Sequence, residues 1–427
     1  MNDELIPKGA GPLQLRRAGR LTFQSFVDCN MAEAWVDDRL RIFPGKYGED
    51  PVWGPANDLR YADGATPEEA FATAPGGFRR PTMPPNAPVG EPGLHGAVWF
   101  ETIYVDPAVE RGHRLFALYH NENYPATLPY DPASGEGYRS ENWPRGMLGE
   151  GSAQAVCRIG LMVSDDGGVS WRDLGIILQD RHPNLVLAPV NTNDTFPGGV
   201  GDPSAVASGD YLYVFFGEYG YPEAFSAQTY DRQVEMSCQC ISVARLALAD
   251  LDEPSGKAGR WDGASFAGAP DKPGVPVASL KIPEADGGGP ASSGQDSFYW
   301  GPSVSWNEYL ECWVMMMARS DHSTWIGDSI WVSTNPHRDL GEGANSQDWS
   351  APCLVLRRPG HTMWYPSLQP ALDPTQVERY TASSMGRKAR LWVKDRPSVL
   401  GFDVDRDTEG TYLSDYVVDF VRPGEAQ

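Results

Sequence analysis

The chain has 427 residues, of which 41% are hydrophobic, and it carries a formal net charge of −22. An acidic excess of this size argues against nucleic acid or an anionic membrane as a partner, since both attract clustered lysine and arginine. No stretch approaches the ~20 consecutive apolar residues of a membrane-spanning helix. The sequence therefore predicts a protein with a large core, supplied in part by its 14 Trp and 18 Tyr, and with neither of those partners.

The amino-terminal stretch MNDELIPKGAGPLQLRRAG lacks the apolar segment of a secretory signal peptide. As the sequence stands, this predicts a cytoplasmic protein, or a secreted or periplasmic one if a signal peptide has been removed. The cysteines lack the paired CxxC spacing of a structural zinc site, so we expect reduced thiols and no metal bound by them. The six are Cys29, Cys157, Cys238, Cys240, Cys312 and Cys353.

Five segments repeat one pattern, in which a strand of small and polar residues is followed by a turn and a more apolar strand. Such alternation is typical of paired antiparallel strands. Five copies predict an all-β protein, a five-bladed β-propeller with four antiparallel strands per blade, formed by residues 1–427 as a single domain. The segments begin at Ser25, Ala97, Val200, Tyr299 and Met363.

Three regions that interrupt the blades are predicted to be long inserted loops, at about residues 44–96, 123–156 and 262–298. In the fifth blade, the segment from Met363 is expected to supply the first two strands and ARLWVKD from Ala389 the third. The carboxy-terminal TYLSDYVVDFV is expected to close the ring by joining blade one.

The segment from Ser164 to Trp171, SDDGGVSW, resembles the Asp box of sialidases and other propeller proteins. In such a turn the aspartate caps backbone amides, glycine permits a positive φ, and the tryptophan packs beneath. The pattern indicates a structural hairpin, on the rim opposite the axial pocket, rather than an activity.

The first strand of each blade lines the axis, and the second strand returns to the same rim. This rim is predicted to collect the carboxylates of Asp28, Glu101 and Asp202. Converging carboxylates suit glycosidic bond hydrolysis, in which one acid protonates the leaving oxygen and another carboxylate activates water or attacks the sugar. We therefore expect these three residues to be catalytic.

Other side chains predicted at this rim are aromatic rings that stack on sugars, and polar groups at the ends of second strands or at the start of strand three. They are expected to bind substrate, which would be an oligo- or polysaccharide. The set is Trp99, His120, Glu122, Arg158, Glu218, Trp300, Arg319 and Tyr365.

Asp28, and Asp202 within Gly201-Asp202-Pro203-Ser204, resemble the inner-strand aspartates of five-bladed propeller glycosidases. The similar groups are glycoside hydrolase families 43 and 32, with the phosphorolytic family 130 related in fold. The resemblance implies that Asp28 is a general base, that Asp202 adjusts the pKa of the acid, and that the reaction inverts the anomeric centre. It implies no required cofactor; a calcium or sodium ion at the axis would fit such folds.

The sequence departs from that pattern in blade four. The blade begins Trp300-Gly301-Pro302-Ser303, without the glutamate that the resemblance leads one to expect. Glu101 of blade two is therefore the predicted acid, with Glu218 and Glu122 as alternatives. Aligning the two inner strands places Phe100 opposite Asp202, and because strand faces alternate, this offset by one residue would turn Glu101 away from the axis.

Three other functions compete with hydrolysis. A glycoside phosphorylase would need cationic side chains around the pocket to hold phosphate, and Arg158, Arg319 and His120 are the candidates. A sialidase is disfavoured by the single Asp-box-like segment and by the lack of an assignable arginine triad. A non-enzymatic carbohydrate-binding propeller would use the aromatic residues for affinity and leave the carboxylates solvated.

Overall fold

The strands form five sheets that lie around one axis as the blades of a propeller, which confirms the predicted all-β class. The only α-helix within the described residues is α1 (Pro67–Ala72). The computed structural model describes residues 6–7, 11–21, 27–45, 47–50, 54–57, 59–72, 77–85, 87, 93–94, 96–123, 156–179, 199–219, 239–282, 297–320, 327–371, 380–397, 412–422 and 424–425.

The first strand of the chain belongs to the last blade, and blade one follows it with three strands in the order β2-β3-β6. A separate hairpin, β4–β5, lies between β3 and β6 within the predicted 44–96 loop. The bounds are β1 (Leu13–Leu21), β2 (Glu33–Val36), β3 (Arg39–Ile42), β4 (Tyr47–Asp50), β5 (Gly54–Asn57) and β6 (Ala62–Gly64).

Blades two and three each contain four antiparallel strands, as predicted, with β7 and β11 as their inner strands. Blade two comprises β7 (Ala97–Val105), β8 (Leu115–Asn123), β9 (Val156–Ser164) and β10 (Arg172–Leu178). Blade three comprises β11 (Val200–Ser208), β12 (Tyr211–Glu218), β13 (Cys240–Ala247) and β14 (Gly259–Arg260).

Blade four has five strands, because the short β20 pairs in parallel with its inner strand β15. Blade five has the order β19-β21-β22-β1, so its outermost strand comes from the amino-terminal end of the chain. The bounds are β15 (Phe298–Asn307), β16 (Cys312–Ser320), β17 (Ser329–Asn335), β18 (Cys353–Arg357), β19 (His361–Pro370), β20 (Ser384–Met385), β21 (Lys388–Pro397) and β22 (Tyr412–Phe420).

Two expectations about blade five were wrong. The segment ARLWVKD is the second strand of the blade, not the third, because β21 pairs directly with the inner strand β19. The carboxy-terminal strand β22 does not join blade one; it pairs with β21 and with β1, so the ring is closed within blade five. The apolar face of β1 explains this closure, since Leu13 and Leu15 are buried in the core of blades four and five.

The core lies between neighbouring blades. Between blades three and four, the rings of Phe215 and Trp349 meet edge to face with centroids 5.3 Å apart. The rings of Trp306 and Trp313 lie 5.1 Å apart in the same buried cluster. Edge-to-face contacts of this kind are favoured by the aromatic quadrupole, and they fix the spacing of the blades around the axis.

The turn between β9 and β10 has the internal hydrogen bonds expected from its sequence. The Asp166 carboxylate accepts the backbone N–H groups of Val169 and Ser170 at 3.1 and 2.9 Å. Gly167 and Gly168 have φ values of +71° and +91°. The Trp171 ring is buried against Phe43 of blade one, with centroids 5.8 Å apart, so the turn fastens blade two to blade one.

Several expectations fall partly or wholly outside the described residues. The 123–156 insertion is described only at its ends, and Cys238 is not described. The other five cysteines are free thiols. No helix in the described ranges has the length and apolar character needed to cross a membrane.

Closure by β1 predicts a measurable loss of stability when its apolar face is truncated. Leu13→Ala should lower the free energy of unfolding by about 2–5 kcal/mol, because it removes a buried side chain and leaves a cavity. Urea denaturation followed by tryptophan fluorescence would measure it. The neighbouring Gln14→Ala, an exposed position of the same strand, is the control, and equal stability of the two variants would contradict closure by β1.

Candidate active site

A β-bulge interrupts the inner strand of blades two to five at the same level of the axis. The register against the second strand shifts between Phe100 and Thr102, between Gly201 and Ser204, between Trp300 and Ser303, and between Trp364 and Ser367. A bulge inserts one extra residue and re-aims a side chain. The residues at the four bulges are Glu101, Asp202 with Pro203, Gly301 with Pro302, and Tyr365 with Pro366.

The bulge in blade two resolves the offset seen in the sequence. Phe100 is fully buried between blades one and two, whereas Glu101, the extra residue, lies at the axis with its side chain buried. Its Oε2 accepts the backbone N–H of Asn30 at 2.8 Å. Its Oε1 is buried and has no hydrogen-bond partner within the described part of the chain.

The Glu101 carboxyl has a pKa raised well above its ordinary value. The main cause is burial, which penalises the charged form, followed by the negative charge of Asp202 and, more weakly, that of Asp28. The hydrogen bonds from Asn30 act in the opposite direction. The surroundings of Glu101 therefore favour its protonated form beside two other carboxyl groups.

Asp28 lies just before blade one and is fixed by a hydrogen bond from its backbone N–H to the carbonyl of Gly45, at 3.0 Å. Its Oδ1 accepts from Nζ of Lys394 at 2.7 Å. Lys394 comes from β21 of blade five, and its side chain is 2% exposed. A buried ammonium requires such a partner, so the ion pair ties blade five to blade one at the axis.

Asp202 is held from two sides in a strained backbone conformation. Its φ is +47° although it precedes a proline, a position that favours extended backbone. The backbone N–H donates to Nδ1 of His120 at 3.0 Å, and Oδ2 accepts from the hydroxyl of Tyr219. Burial raises the pKa of Asp202, whereas His120 and the Tyr219 hydrogen bond lower it.

Burial lowers the pKa of the His120 imidazole and favours its neutral form, whereas the charges of Asp202 and Asp28 act in the opposite direction. Because Nδ1 accepts the Asp202 N–H, the ring proton of the neutral form sits on Nε2, which lies 3.8 Å from Oε1 of Glu122. The strand makes room for this arrangement by having Gly201 next to the ring. A Cβ at Gly201 would lie 2.4 Å from the imidazole.

Asn30 is hydrogen-bonded to residues of blades two, four and five. Besides donating its N–H to Glu101, it donates from Nδ2 to the carbonyl of Pro302 in blade four, at 3.1 Å. Its Oδ1 accepts from the hydroxyl of Ser367 in blade five, at 3.3 Å. One side chain thus connects blades one, four and five, and its backbone holds the acid of blade two.

Hydroxyl groups that follow the bulges connect neighbouring inner strands. Oγ1 of Thr102 accepts the N–H of Ala205 at 3.2 Å, and Oγ of Ser204 accepts that of Val304 at 2.9 Å. Oγ of Ser367 accepts the N–H of Met31 at 2.9 Å. Each bond joins one blade to the next, which holds the bulges at a common level.

Aromatic rings of blades four and five border the site. The rings of Trp300 and Tyr365 lie 5.3 Å apart and nearly perpendicular. Tyr365 also has a positive φ, +51°, before a proline. Burial and the charges of Asp28, Asp202 and Glu101 raise the pKa of its phenol well above the ordinary value, so the Tyr365 hydroxyl keeps its proton near these carboxyl groups.

The structure brings together the three predicted catalytic residues with His120, Trp300 and Tyr365. Trp99 is buried, with its ring edge-on to His120 at a centroid distance of 5.7 Å. Glu122 lies at the far side of His120, at the 3.8 Å separation given above.

Three other predicted substrate-binding residues have partners farther out in their blades. Glu218 is paired with Arg260 of the outermost strand of blade three at 2.7 Å. Arg158 donates to Oδ1 of Asn121 at 2.7 and 3.1 Å. The guanidinium of Arg319 lies 5.5 Å from the ring centroid of Trp331.

The sequence analysis missed Asn30 and Lys394. It selected Glu218 as a substrate-binding residue but not the neighbouring Tyr219, whose hydroxyl bonds to Asp202. Lys394 was missed because ARLWVKD was assigned to strand three; as the end of a second strand, it meets the rule that places such residues at the axial rim. Asn30 lies two residues after Asp28, the spacing that puts both on one face of an extended chain.

Within the described ranges, no group of three or more His, Cys, Asp or Glu side chains could hold a metal ion.

No protein-family model matches the sequence, and a search of the curated proteins found no match. Among solved structures, the fold is similar to an α-L-arabinofuranosidase from Lactobacillus brevis, with 11% identity, a TM-score of 0.47, and coverage of 97% of this chain and 96% of the other. A family 62 α-L-arabinofuranosidase catalytic domain from Coprinopsis cinerea has 8% identity and a TM-score of 0.47, with 96% and 97% covered.

An exo-1,5-α-L-arabinanase from a bovine ruminal metagenomic library shows 10% identity and a TM-score of 0.43, with 94% of this chain and 95% of the other covered. These TM-scores are low, so the likenesses carry no argument about chemistry. The chemistry rests on the side chains at the axis.

The hydrogen bond from Tyr219 to Asp202 predicts a change in the pKa of Asp202 when it is removed. Tyr219→Phe removes a hydrogen bond that favours the charged carboxylate, so the pKa of Asp202 should rise further above its ordinary value. Titration of ¹³C-labelled carboxyl groups by NMR would measure it. The matched control is Tyr104→Phe, which alters a half-buried tyrosine of blade two. An unchanged pKa of Asp202 in Tyr219→Phe would contradict the role of the Tyr219 hydrogen bond.

The raised pKa of Glu101 predicts a pH-dependent stability. Because the folded pKa lies above the unfolded one, the stability from this group is complete below the unfolded value, about 4.3. It is lost as the pH rises through the folded value. Glu101→Gln cannot ionise, so it should lose less stability than the parent between about pH 5 and about pH 8.

Urea denaturation of both proteins at the two pH values would test this. Glu342→Gln, at an exposed position in blade four, is the control and should follow the parent protein. Parallel pH dependences for all three proteins would show that Glu101 is not held neutral.

Proposed function

We propose that this protein is a glycoside hydrolase that cleaves the glycosidic bond of an oligo- or polysaccharide at the propeller axis. The observation that carries the proposal is Glu101, a buried carboxyl group with a raised pKa and one oxygen without a hydrogen-bond partner in the described part of the chain. A neutral carboxylic acid beside ionisable carboxylates is the arrangement that glycosidic hydrolysis requires.

In this mechanism Glu101 is the general acid. Its fixed oxygen, Oε2, is held by the Asn30 N–H, which leaves Oε1 to donate its proton to the leaving glycosidic oxygen. A general acid is efficient when its pKa lies near the working pH, and burial together with the charge of Asp202 moves Glu101 in that direction.

Asp28 is the proposed base. Its ion pair with Lys394 holds one oxygen in place, and the carboxylate activates the attacking water. We expect inversion at the anomeric carbon, which ¹H NMR of the first-formed anomer would test. Asp202 is the proposed modulator, because its negative charge raises the pKa of Glu101 and because Tyr219 and His120 hold it in position.

The aromatic border supports a sugar as substrate. Trp300, Trp364 and Tyr365 form a group of nearly perpendicular rings, with centroids 5.3–6.3 Å apart. Such rings offer an apolar face to the C–H groups of a sugar while leaving its hydroxyl groups for polar partners.

Two cations of blade five favour phosphorolysis as a second candidate. Nζ of Lys394 and Cζ of Arg396 lie 4.4 and 4.6 Å from the ring centroid of Trp364. Both side chains are buried, so the wall formed by blade five carries positive charge close to the proposed base. A phosphate acceptor would need positive charge at this place.

The test is hydrolysis of a panel of nitrophenyl glycosides and natural oligosaccharides, with and without inorganic phosphate. Glu101→Gln should lower kcat by about 10²–10⁴-fold on substrates with poor leaving groups. It should have less effect on dinitrophenyl glycosides, whose leaving groups need little protonation. Asp28→Asn and Asp202→Asn should also lose most of their turnover.

The control is Glu342→Gln, which should keep the activity of the parent protein. Turnover that depends on phosphate, with a sugar phosphate as product, would favour the phosphorylase. An equal loss on both leaving-group classes would contradict the role of Glu101 as acid. No turnover, together with retained sugar binding, would indicate a carbohydrate-binding propeller.

A further inference from the structure

Blades three, four and five carry the same three-residue pattern at their bulges, a variable residue followed by proline and serine. The variable residues are Asp202, Gly301 and Tyr365, and all three have φ between +47° and +56°. In blades three and five this conformation directs a functional side chain to the axis. Blade four has the same backbone but no side chain at this position.

Gly301 therefore leaves a space where its neighbours place a side chain. It is buried within β15, yet a Cβ built on it would meet, apart from its chain neighbours Trp300 and Pro302, a single described atom within 4 Å, Cδ1 of Tyr365 at 4.0 Å. The comparable Cβ on the buried Gly201 would lie 2.4 Å from His120. Buried backbone is normally packed at van der Waals distance, so among the described residues a space, here called the notch, lies in front of Gly301.

The position of the notch is set by the order of the blades. Blade four lies between blade three, with Asp202, and blade five, with Tyr365. In a ring of five blades, blades one and two lie across the axis from blade four, and they carry Asp28 and Glu101. A group seated in the notch would thus have the proposed base and acid in front of it, with Asn30 beneath, bonded to Pro302 next to the notch.

We propose that the notch at Gly301 seats the pyranose ring of a neutral sugar and that Gly301 is the residue that determines the size of ring substituent the site accepts. The inference rests on the proposed function for its orientation toward Glu101 and Asp28. The occupant is a neutral ring because Trp300 and Tyr365, the aromatic rings next to the notch, offer apolar faces for stacking.

The test fills the notch with Gly301→Ala and Gly301→Asn. If the substitutions act by filling the notch, Asn, which has the larger side chain, should weaken substrate binding more than Ala. If backbone strain at positive φ matters, the order should be reversed, because asparagine tolerates this conformation better than alanine. The matched controls are Gly209→Ala and Gly209→Asn, in the β11–β12 turn, where φ is also +56° and a Cβ meets no described atom.

The substrates are nitrophenyl glycosides in pairs that differ only by an exocyclic hydroxymethyl group, β-D-xyloside with β-D-glucoside and α-L-arabinopyranoside with β-D-galactoside. Gly301→Asn should raise KM for the accepted sugar by about 10- to 200-fold. Gly301→Asn should raise KM more for the hydroxymethyl-bearing sugar of each pair than for its partner. The KM values of Gly301→Ala should lie between those of the parent protein and those of Gly301→Asn. A KM within about twofold of the parent for Gly301→Asn, or a larger effect for Ala than for Asn, would overturn the proposal.

Binding gives a readout that does not need turnover. Titration with xylose, glucose, arabinose and galactose should change the fluorescence of the parent and of Gly209→Asn, since Trp300 directly precedes Gly301. The change should be lost in Gly301→Asn. If the parent protein shows no turnover but binds sugar in a Gly301-dependent way, the proposed hydrolase activity is refuted and the proposed sugar site at the notch is supported. If the parent protein turns over substrate and Gly301→Asn leaves sugar binding unaffected, only the proposed sugar site at the notch is refuted.

Discussion

The architecture of the site depends on one extra residue in the inner strand of each of blades two to five. Without the bulges, the strict alternation of strand faces would turn Glu101 into the interface between blades and leave Asp202 and Tyr365 without their exposure to the axis. The hydroxyl groups that follow the insertions, on Thr102, Ser204 and Ser367, bond blade two to blade three, blade three to blade four and blade five to blade one. The backbone irregularity that forms the site therefore also holds the ring together.

This arrangement concentrates charge where solvation is poor. Three carboxyl groups lie near one axis, where burial opposes negative charge and raises the pKa of Glu101 and of Asp202. Lys394 offsets part of that cost by reaching Asp28 from blade five, and Tyr219 and Asn30 supply neutral donors to the other two. The donors differ in strength, because Asp28 accepts from an ammonium whereas Asp202 and Glu101 accept from a neutral hydroxyl and a neutral amide. The three carboxyl groups therefore differ chemically, although their intrinsic acid strengths are similar.

Periodicity was sufficient to predict the fold, because alternating strands and turn residues are local signals. Asp28 and Asp202 were found because Asp28 precedes the first strand of blade one and Asp202 lies near the start of β11. The face of Glu101 was not predictable, since a bulge depends on pairing with the second strand and leaves no mark in β7 alone. Glu218 was chosen over Tyr219 for a related reason: its partner, Arg260, lies 42 residues away in an outer strand, and such long-range pairing is invisible to local pattern. Lys394 was not predicted at the axis, because the polar stretch after β19 was assigned as the second strand of blade five.

The pairing of β1 with β22 joins segments about as far apart in the chain as any in the molecule; one hydrogen bond there, between Arg17 and Ser414, spans 397 positions. During synthesis on the ribosome, β1 emerges before all the other strands and β22 after them. Until β22 appears, β1 has no sheet to join, and its alternating apolar residues form an unprotected edge that another chain can pair with. Closure between strands so distant in the chain slows folding, and β1 stays unpaired within blade five until β22 has been made.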